Sequence, residues 1–148
     1  MSSEKTLPSK TTLIVKDRCL CLHVQRAARA LARRFDGELR PFDLTNGQFS
    51  LLMSLNRPEP PPMGPVASLL AMDRTTLTAA LKPMERRGLV KVQKDPSDRR
   101  SRILILTEKG RTLLARAVPV WQRTHEEIES SASSVNWDSF RQDLRAIS

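Results

Sequence analysis

Apolar residues recur every three or four positions along most of the chain, which is the period of an α-helix with one buried side. The first such stripe predicts a helix from about Asp17 to Arg40, ended by Pro41. The residues of this stripe are Leu20, Val24, Ala27, Leu31, Phe35 and Leu39.

Helix-capping side chains divide the rest of the chain into further helices. Thr45 and Gln48 have the spacing of a capping box, in which each side chain accepts a hydrogen bond from the other residue's backbone N–H. Gly88 ends the helix that begins after Asp73, because glycine readily adopts the left-handed conformation found just past helix ends. Pro83 lies inside that helix and removes one backbone hydrogen bond, so a bend is expected there. The predicted helix starts are Thr45, Pro65, Asp73, Thr107 and Asn136.

Between two of these helices the pattern changes to that of a β-hairpin. Residues 89–94 alternate between apolar and polar, and residues 101–106 form an apolar return strand. The Asp-Pro-Ser-Asp run between them, residues 95–98, is a turn former. The predicted fold class is therefore mainly α with a small β-hairpin. It is a winged helix-turn-helix over about 45–106, with long helices on both sides.

A length of 148 residues fits one domain. Residues 1–16 are predicted to be a flexible arm, and the Pro-rich run at 58–62 a stiff loop. Residues 17–148 are predicted to form a single domain, in which helices over about 17–40 and 107–146 flank the central module. No run approaches the roughly 18 apolar residues of a membrane span, and the amino terminus lacks an apolar signal core. We therefore expect a cytoplasmic protein that does not bind membranes.

The chain is strongly basic, and its charge is unevenly distributed. It has 25 Lys and Arg against 16 Asp and Glu, a net charge of +9 and an isoelectric point near 10.5. Residues 73–111 contain 11 basic and 5 acidic side chains, whereas residues 123–148 contain 3 basic and 5 acidic ones. A basic region in the middle of the chain points to nucleic acid as the partner.

The helix that begins after Asp73 has one apolar and one cationic face. At 100° per residue, Leu77, Leu81 and Met84 fall on one side, which predicts the buried face. The other side carries small hydroxyl groups flanked by cations, a surface that can enter the major groove and reach base edges or phosphates. An ordinary amphipathic surface helix would more often carry Glu/Lys pairs there. The candidate DNA-binding residues of this helix are Arg74, Thr75, Thr76, Thr78, Lys82 and Arg86.

Three segments carry a resemblance to a known family. The hairpin DPSDRRSRILILTEKG has an Asp-x-Arg tip and a strand that runs into Leu-Thr-x-x-Gly. In this it resembles the signature of MarR-type transcriptional regulators. LTNGQFSLLMSL and DRTTLTAALKPMERRGLV resemble the second helix and the recognition helix of that family. The resemblance covers about residues 17–130. It implies a homodimer, held together by the first helix and the two C-terminal helices, that binds palindromic double-stranded operator DNA.

The resemblance also assigns roles at the hairpin tip. It implies that Arg100 enters the minor groove, that Asp98 orients it, and that Arg99 contacts a phosphate. A narrow minor groove concentrates negative potential, which attracts arginine. The hairpin tip also fits a solvated charged turn, which most such turns are.

The two long helices independently favour a dimer. Their apolar stripes are too long for the small central module to cover, and a second copy would bury them while placing two reading helices about one DNA turn apart. Packing of the two helices on each other within one chain is the alternative. The stripe of the second long helix is Leu113, Leu114, Ala117, Val120 and Trp121.

Two cysteines are candidates for sensing a signal. Cys19 and Cys21 are too few for a disulfide framework, so reduced thiols are expected. In the organic-hydroperoxide-sensing branch of the MarR family a reactive cysteine lies near the start of the first helix, and the resemblance places it at Cys21. That branch supports its cysteine with tyrosines, and this chain has no Tyr. Cys21 as a small buried hydrophobic residue is the alternative, and Cys19 with His23 does not make a metal site.

The resemblance allows a second kind of signal, a small aromatic or lipophilic effector bound between the dimer helices and the DNA-binding module. No Gly-rich phosphate loop, metal-ligand cluster or nucleophile–base pair is present, so neither an enzyme nor a cofactor site is predicted. The sequence thus indicates a homodimeric, sequence-specific DNA-binding regulator, a repressor rather than an activator, released by a small molecule or an oxidant. The alternative is a non-specific or architectural winged-helix protein without an inducer.

Overall fold

The computed structural model describes residues 6–148, which form seven α-helices and one two-stranded antiparallel sheet. None of the helices in this part of the chain is long and apolar enough to cross a membrane. A short 3₁₀ turn, Arg40–Phe42, follows the second helix. The elements are α1 Ser9–Arg18, α2 Leu20–Leu39, α3 Asn46–Ser54, α4 Met63–Leu69, α5 Arg74–Arg86, β1 Val90–Lys94, β2 Arg102–Leu106, α6 Glu108–Ser131 and α7 Trp137–Ala146.

The amino-terminal region differs from the prediction. Of the flexible arm expected over 1–16, residues 1–5 lie outside the described residues, and α1 occupies most of the remainder. The first long helix begins at Leu20 rather than Asp17, because Cys19 has an extended backbone (φ −71°, ψ 108°) that separates α1 from α2. Two sequence signals for α1 were available. Pro8 directly precedes it, and Lys16 and Arg18 lie in its last turn, where cations complement the helix dipole.

The chain forms two compact units, one that ends at Arg34 and one that spans Phe35–Ser148. The sequence predicted one domain over 17–148. The boundary falls inside α2, whose only buried residues are Phe35 and Leu39. The stripe of this helix therefore contributes to the core of the second unit only at its carboxyl end.

Four predicted helix caps are confirmed. The Thr45 hydroxyl accepts from the Gln48 N–H at 3.1 Å and the Gln48 side chain accepts from the Thr45 N–H at 3.0 Å, which completes the capping box. The other three side chains each accept from the N–H three residues later: Asp73 at 2.7 Å, Thr107 at 3.1 Å and Asn136 at 2.9 Å. Helix α4 begins two residues before the predicted Pro65.

The second unit has one hydrophobic core, built from the carboxyl end of α2, from α3, α4 and α5, from the sheet and from the first half of α6. Leu77, Leu81 and Met84 of α5 are buried in it, which confirms the predicted inner face of that helix. Helix α5 continues through Pro83 to Arg86, and the bend expected there stays a prediction. The other fully buried large side chains are Leu39, Leu51, Leu52, Leu55, Val66, Leu89, Val90, Leu104 and Thr124.

The hairpin has the predicted strands, and a third segment lies beside it. β1 and β2 pair in register from Val90 with Leu106 to Lys94 with Arg102. The Pro-rich loop contributes an isolated bridge between Pro62 and Ile103, and the Leu104 N–H donates to the Pro61 carbonyl at 2.9 Å. Because proline has no N–H, this segment protects the edge of β2 without presenting donors for further pairing.

Candidate nucleic-acid interface

The outer face of α5 has the exposure that a groove-reading surface needs. All six candidate residues of this helix (Arg74, Thr75, Thr76, Thr78, Lys82 and Arg86) are exposed. Its inner face is anchored in the core, so the outer face is held at a fixed angle to the module. A rigid helix with a protruding polar face is the arrangement by which helix-turn-helix proteins contact base edges.

Thr78 uses part of its hydrogen-bonding capacity inside the helix. Its hydroxyl donates to the Arg74 carbonyl at 2.8 Å. The hydroxyl proton is therefore engaged, and outwards the side chain offers its oxygen lone pairs and its methyl group. Those groups suit the amino group of adenine or cytosine and the thymine methyl.

The amino end of α5 is capped by an ionised carboxylate. The Thr76 backbone N–H donates to Asp73 and holds the pKa of that carboxyl below its ordinary value of 3.8. Asp73 thereby satisfies one of the free donors at the helix start, a position where backbone N–H groups also attract phosphate.

The carboxyl end of α5 is fixed by a Schellman motif at Gly88, whose φ is +71°. The Leu89 N–H donates to the Met84 carbonyl at 3.0 Å, and the Gly88 N–H to the Glu85 carbonyl at 2.9 Å. Arg87, which immediately precedes the glycine, donates from its guanidinium to the carbonyls of Asp43 and Phe42. Sequence reasoning missed Arg87, because its partners are backbone atoms 44 and 45 residues away.

The tip of the hairpin is an ordered turn that presents arginines. The Asp95 N–H donates to the Ser101 carbonyl, and the Ser101 N–H to the Asp98 carbonyl. The Asp98 carboxylate accepts from the backbone N–H of Arg100 at 3.0 Å. Asp98 thus holds the backbone of Arg100, while the side chains of Arg99 and Arg100 are exposed.

Comparison with known proteins identifies the family. The MarR family profile matches residues 44–101. Transcriptional regulator HosA of Escherichia coli O111:H- is 34% identical over 107 residues, which are 71% of this chain and 78% of that protein. The chain belongs to the MarR family. The organic hydroperoxide resistance transcriptional regulator of Bacillus subtilis (strain 168) is 30% identical over 101 residues, 68% of this chain and 69% of that protein.

Solved structures agree with this assignment. M. tuberculosis MosR in complex with DNA is 37% identical, with a TM-score of 0.77 over 88% of this chain and 93% of that one. The transcriptional repressor CouR bound to a 23-mer DNA duplex is 32% identical, with a TM-score of 0.79 over 90% and 94%. The chain is therefore a MarR-family transcriptional regulator with a winged-helix fold, and not an enzyme.

The two cysteines of this MarR-family chain lie at the break between α1 and α2. Cys21 is exposed, and Cys19 is half-buried. The Cys19 sulfur lies 3.4 Å from the Leu22 nitrogen, whose N–H it accepts in the manner of a helix cap. The His23 ring nitrogen Nδ1 lies 2.7 Å from the Cys19 carbonyl oxygen. Within the described part of the chain no group of three or more His, Cys, Asp or Glu side chains is placed to hold a metal ion.

Two adjoining cavities lie beside Trp121 in the second unit. One, of about 170 Å³, is lined by aromatic rings that include Phe35, Phe49 and His125. The other, of about 600 Å³, lies between α3, the end of α4 and α6, and is lined mainly by apolar side chains. Phe49, Ser50 and Trp121 line both.

Burial among the rings changes the titration of His125. Its imidazole lies 4.7 Å from the Phe35 ring and 4.4 Å from the Trp121 ring, centroid to centroid. Burial lowers the pKa of His125 below its ordinary value of 6.5, and Arg141 adds to this, while Glu129 opposes it. His125 is therefore held in the neutral form near neutral pH.

Proposed function

We propose that this protein is a homodimeric, sequence-specific transcriptional repressor in the cytoplasm, released from palindromic operator DNA by a chemical signal. The observation that carries the proposal is the division of α5 into a buried apolar face and an outer face of exposed threonines and cations. An ordinary amphipathic surface helix would more often carry Glu/Lys pairs on its outer face than threonines flanked by cations.

Within that proposal the DNA contacts fall into two groups. On α5, Thr75, Thr76 and Thr78 read base edges, Arg74 reaches a base, and Lys82 and Arg86 contact phosphates. At the wing tip Arg100 enters the minor groove from a backbone fixed by Asp98, and Arg99 contacts a phosphate.

Exposed apolar side chains at both ends of the chain support the homodimer. In the first unit Leu20 is 73% exposed, although it begins the apolar stripe of α2. In the second unit α7, Trp137–Ala146, has no buried residue, although Phe140 and Leu144 lie on its apolar side. Large apolar residues left exposed on amphipathic helices mark a surface that another chain covers. The other exposed apolar residues at the two ends include Leu13, Ile14, Val15, Val24, Leu31 and Ile147.

The first candidate signal is oxidation of Cys21. Its thiol is exposed, and the similar Bacillus subtilis protein is an organic hydroperoxide resistance regulator. A hydroperoxide would oxidise the thiol to a sulfenic acid and be reduced to the corresponding alcohol. Cys19, half-buried two residues earlier, is the second candidate thiol.

The second candidate signal is a small aromatic or lipophilic molecule. The cavities beside Trp121 offer stacking surfaces from Phe49 and His125, and polar groups from Ser50 and Gln122. Concave, mainly apolar sites with a few polar groups are typical of small-molecule binding.

DNA selection followed by variant binding tests the reading face. The wild type should select from random duplex DNA a palindrome with half-sites about one helical turn apart. On that operator Arg100→Ala should cost about 1–3 kcal/mol, since it loses a groove contact. Arg102→Ala, which removes the same exposed group from β2, is the matched control and should bind nearly as the wild type.

Substitutions in α5 sharpen this test. Thr75→Ala or Thr78→Ala should relax base preference at particular positions, whereas Lys82→Ala should weaken binding to all sequences and reduce the slope of its salt dependence by about 1. If both classes behaved alike, the assigned reading face would be wrong. Selection without any recoverable motif would favour the architectural alternative.

Release of the operator complex identifies the signal. Under an organic hydroperoxide the wild type should dissociate from DNA and Cys21→Ser should not, with reversal by dithiothreitol in the wild type. A panel of aromatic acids serves as the comparison. Release of both proteins by an aromatic acid, without any effect of peroxide, would assign the signal to the cavities instead.

A further inference from the structure

The carboxyl end of α5 is in contact with two other segments of the chain, and neither set of contacts is needed to close the helix. The Schellman motif at Gly88 already satisfies the last turn within the chain segment itself. In addition, the Arg87 side chain reaches backbone carbonyls of the turn at residues 40–43, and side chains at the start of α6 reach the carbonyls of Arg87 and Gly88. We refer to this convergence of Arg87, Gly88, Asp43, Thr107 and Lys109 as the junction.

On the first side the contact is made by the guanidinium of Arg87. Nη1 donates to the Asp43 carbonyl at 2.6 Å and Nη2 to the Phe42 carbonyl at 3.3 Å. The Asp43 carboxylate lies 3.8 Å away, but that side chain is 94% exposed, so its ion pair contributes little. The contact therefore resides in two backbone acceptors, each met by a different nitrogen of the planar guanidinium. A lysine would offer one nitrogen on a flexible stem in place of this fixed pair.

Those two acceptors lie at a sharp change of chain direction. Asp43 has a left-handed backbone (φ 53°, ψ 44°), and its N–H donates to the Arg40 carbonyl at 2.9 Å. The turn directly follows α2, whose last residue is Leu39. Arg87 thus connects the end of α5 to the end of α2.

On the second side α6 supplies two donors to the free carbonyls of the same helix end. The Thr107 hydroxyl donates to the Gly88 carbonyl at 2.7 Å, and the Lys109 ammonium to the Arg87 carbonyl at 2.7 Å. The backbones also approach closely, because a Cβ placed on Gly110 would lie 2.5 Å from the Leu89 carbonyl oxygen. This side of the junction has no room for adjustment.

A further contact joins α6 to the turn that follows α2. The Arg116 guanidinium of α6 lies over the Phe42 ring, 5.8 Å from its centroid. The end of α2, the end of α5 and the first half of α6 are therefore linked pairwise. By contrast, the side-chain cap at the amino end of α5 comes from Asp73 of its own segment.

We propose that Arg87 is a positioning residue for DNA reading, which fixes the direction of α5 by holding its carboxyl end against the turn that follows α2. This rests on the proposed function of α5 as the reading helix. Contacts to base edges require donor and acceptor atoms within hydrogen-bonding distance, so a small rotation of the helix loses them. Phosphate contacts by long side chains tolerate the same rotation, since they act as flexible charges. Loss of the Arg87 hold should therefore reduce specificity more than affinity.

The test measures the affinity of Arg87→Ala and Arg87→Lys for the selected operator and for a scrambled duplex at several salt concentrations. The measurements are made well below the unfolding temperature, and the fraction of active protein is determined by titration. Both variants should bind the operator about tenfold more weakly, which corresponds to the loss of one good base contact. Their affinity for the scrambled duplex should change by less than about threefold. Arg123→Ala is the matched control, because Arg123 also bridges elements of this unit, through Glu38 and Glu127, without touching α5. It should keep wild-type specificity.

Asp43→Asn separates the backbone hold from the ion pair. Asparagine tolerates a left-handed backbone and leaves both carbonyls in place, so operator binding should match the wild type. Rescue by Arg87→Lys, or equal losses on both duplexes with a flatter salt dependence, would make Arg87 a phosphate contact and overturn the proposal. If Arg87→Ala kept the wild-type specificity while Lys82→Ala lost affinity and Thr75→Ala lost base preference, the role of Arg87 would be overturned and the proposed function would stand. If none of these variants affected binding, α5 would not be the reading helix.

Discussion

The two units of the chain differ in how they use their apolar residues. Every residue of the hydrophobic core lies in Phe35–Ser148, whereas between residues 6 and 34 no side chain is buried. Both regions contain an amphipathic helix with a clear apolar stripe, so the pattern alone does not distinguish them. The difference shows that an apolar stripe predicts a face to be covered but does not tell which surface covers it.

The two units also differ in the side-chain caps at the starts of their helices. In the second unit side chains cap α3, α5, α6 and α7 at their starts. In the first unit α1 begins after Pro8 without a side-chain cap, and the start of α2 has only a weak acceptor, the Cys19 sulfur. The second unit is thus specified by its own core and its own helix ends. The first unit has no buried side chain of its own between residues 6 and 34, and we propose that association covers its apolar residues.

The largest expected effect compares one leucine from each unit. Leu52→Ala removes a fully buried side chain from the core and should lower the free energy of unfolding by about 2–5 kcal/mol. Leu20→Ala removes an exposed one and should change it by no more than about 0.5 kcal/mol in dilute solution in which the chain is monomeric. Urea denaturation followed by circular dichroism measures both. A loss for Leu20→Ala as large as that for Leu52→Ala would mean that the stripe of α2 is already covered within one chain.

The next effect tests what covers that stripe. Leu31→Glu places a charge on the apolar side of α2 and, in a symmetric dimer, does so twice. It should raise the dissociation constant of the dimer at least about 100-fold, which corresponds to about 2.7 kcal/mol. Sedimentation equilibrium measures the change, and operator affinity should fall with it.

Ala30→Glu is the control for that charge. It adds the same group one position away, on the side of α2 that carries Arg26 and Arg33, at the helical spacings where opposite charges attract. It should leave the dimer intact. Dissociation by both variants would point to a general effect of added charge, and dissociation by neither would place the dimer interface elsewhere.

The same contrast explains what the sequence could predict. The capping box at Thr45, the caps of the later helices and both strands were predictable, because each depends on residues within a few positions of one another. The separation of α1 from α2 at Cys19 was missed, since it leaves no proline or glycine as a signal. The pairing of Pro62 with Ile103 and the hold of Arg87 on the Asp43 carbonyl were also beyond prediction. Each depends on a backbone group more than 40 residues away along the chain, and backbone groups have no sequence signature.

The smallest expected effect uses the two histidines, one in each unit. His125 is packed between Phe35 and Trp121, and burial lowers its pKa below 6.5, whereas His23 is exposed on α2. In the unfolded chain the imidazole takes up a proton near pH 6.5, but in the folded chain it does so only at lower pH. The unfolded state therefore binds more protons as the pH falls below about 6.5, and the folded state loses stability there.

Thermal denaturation between pH 7.5 and 5.5 measures this loss in the wild type and in two variants. His125→Phe keeps a ring against Trp121 without a titratable group, and should remove part of the pH dependence in this window. His23→Gln, which removes the exposed imidazole of the first unit, is the control and should retain the wild-type dependence. Glu129 and Arg141, which pair with each other, also face this region, so Arg141→Gln should weaken the effect by removing a cation that opposes protonation. If His23→Gln reduced the pH dependence as much as His125→Phe, the burial of His125 between Phe35 and Trp121 would not be its cause.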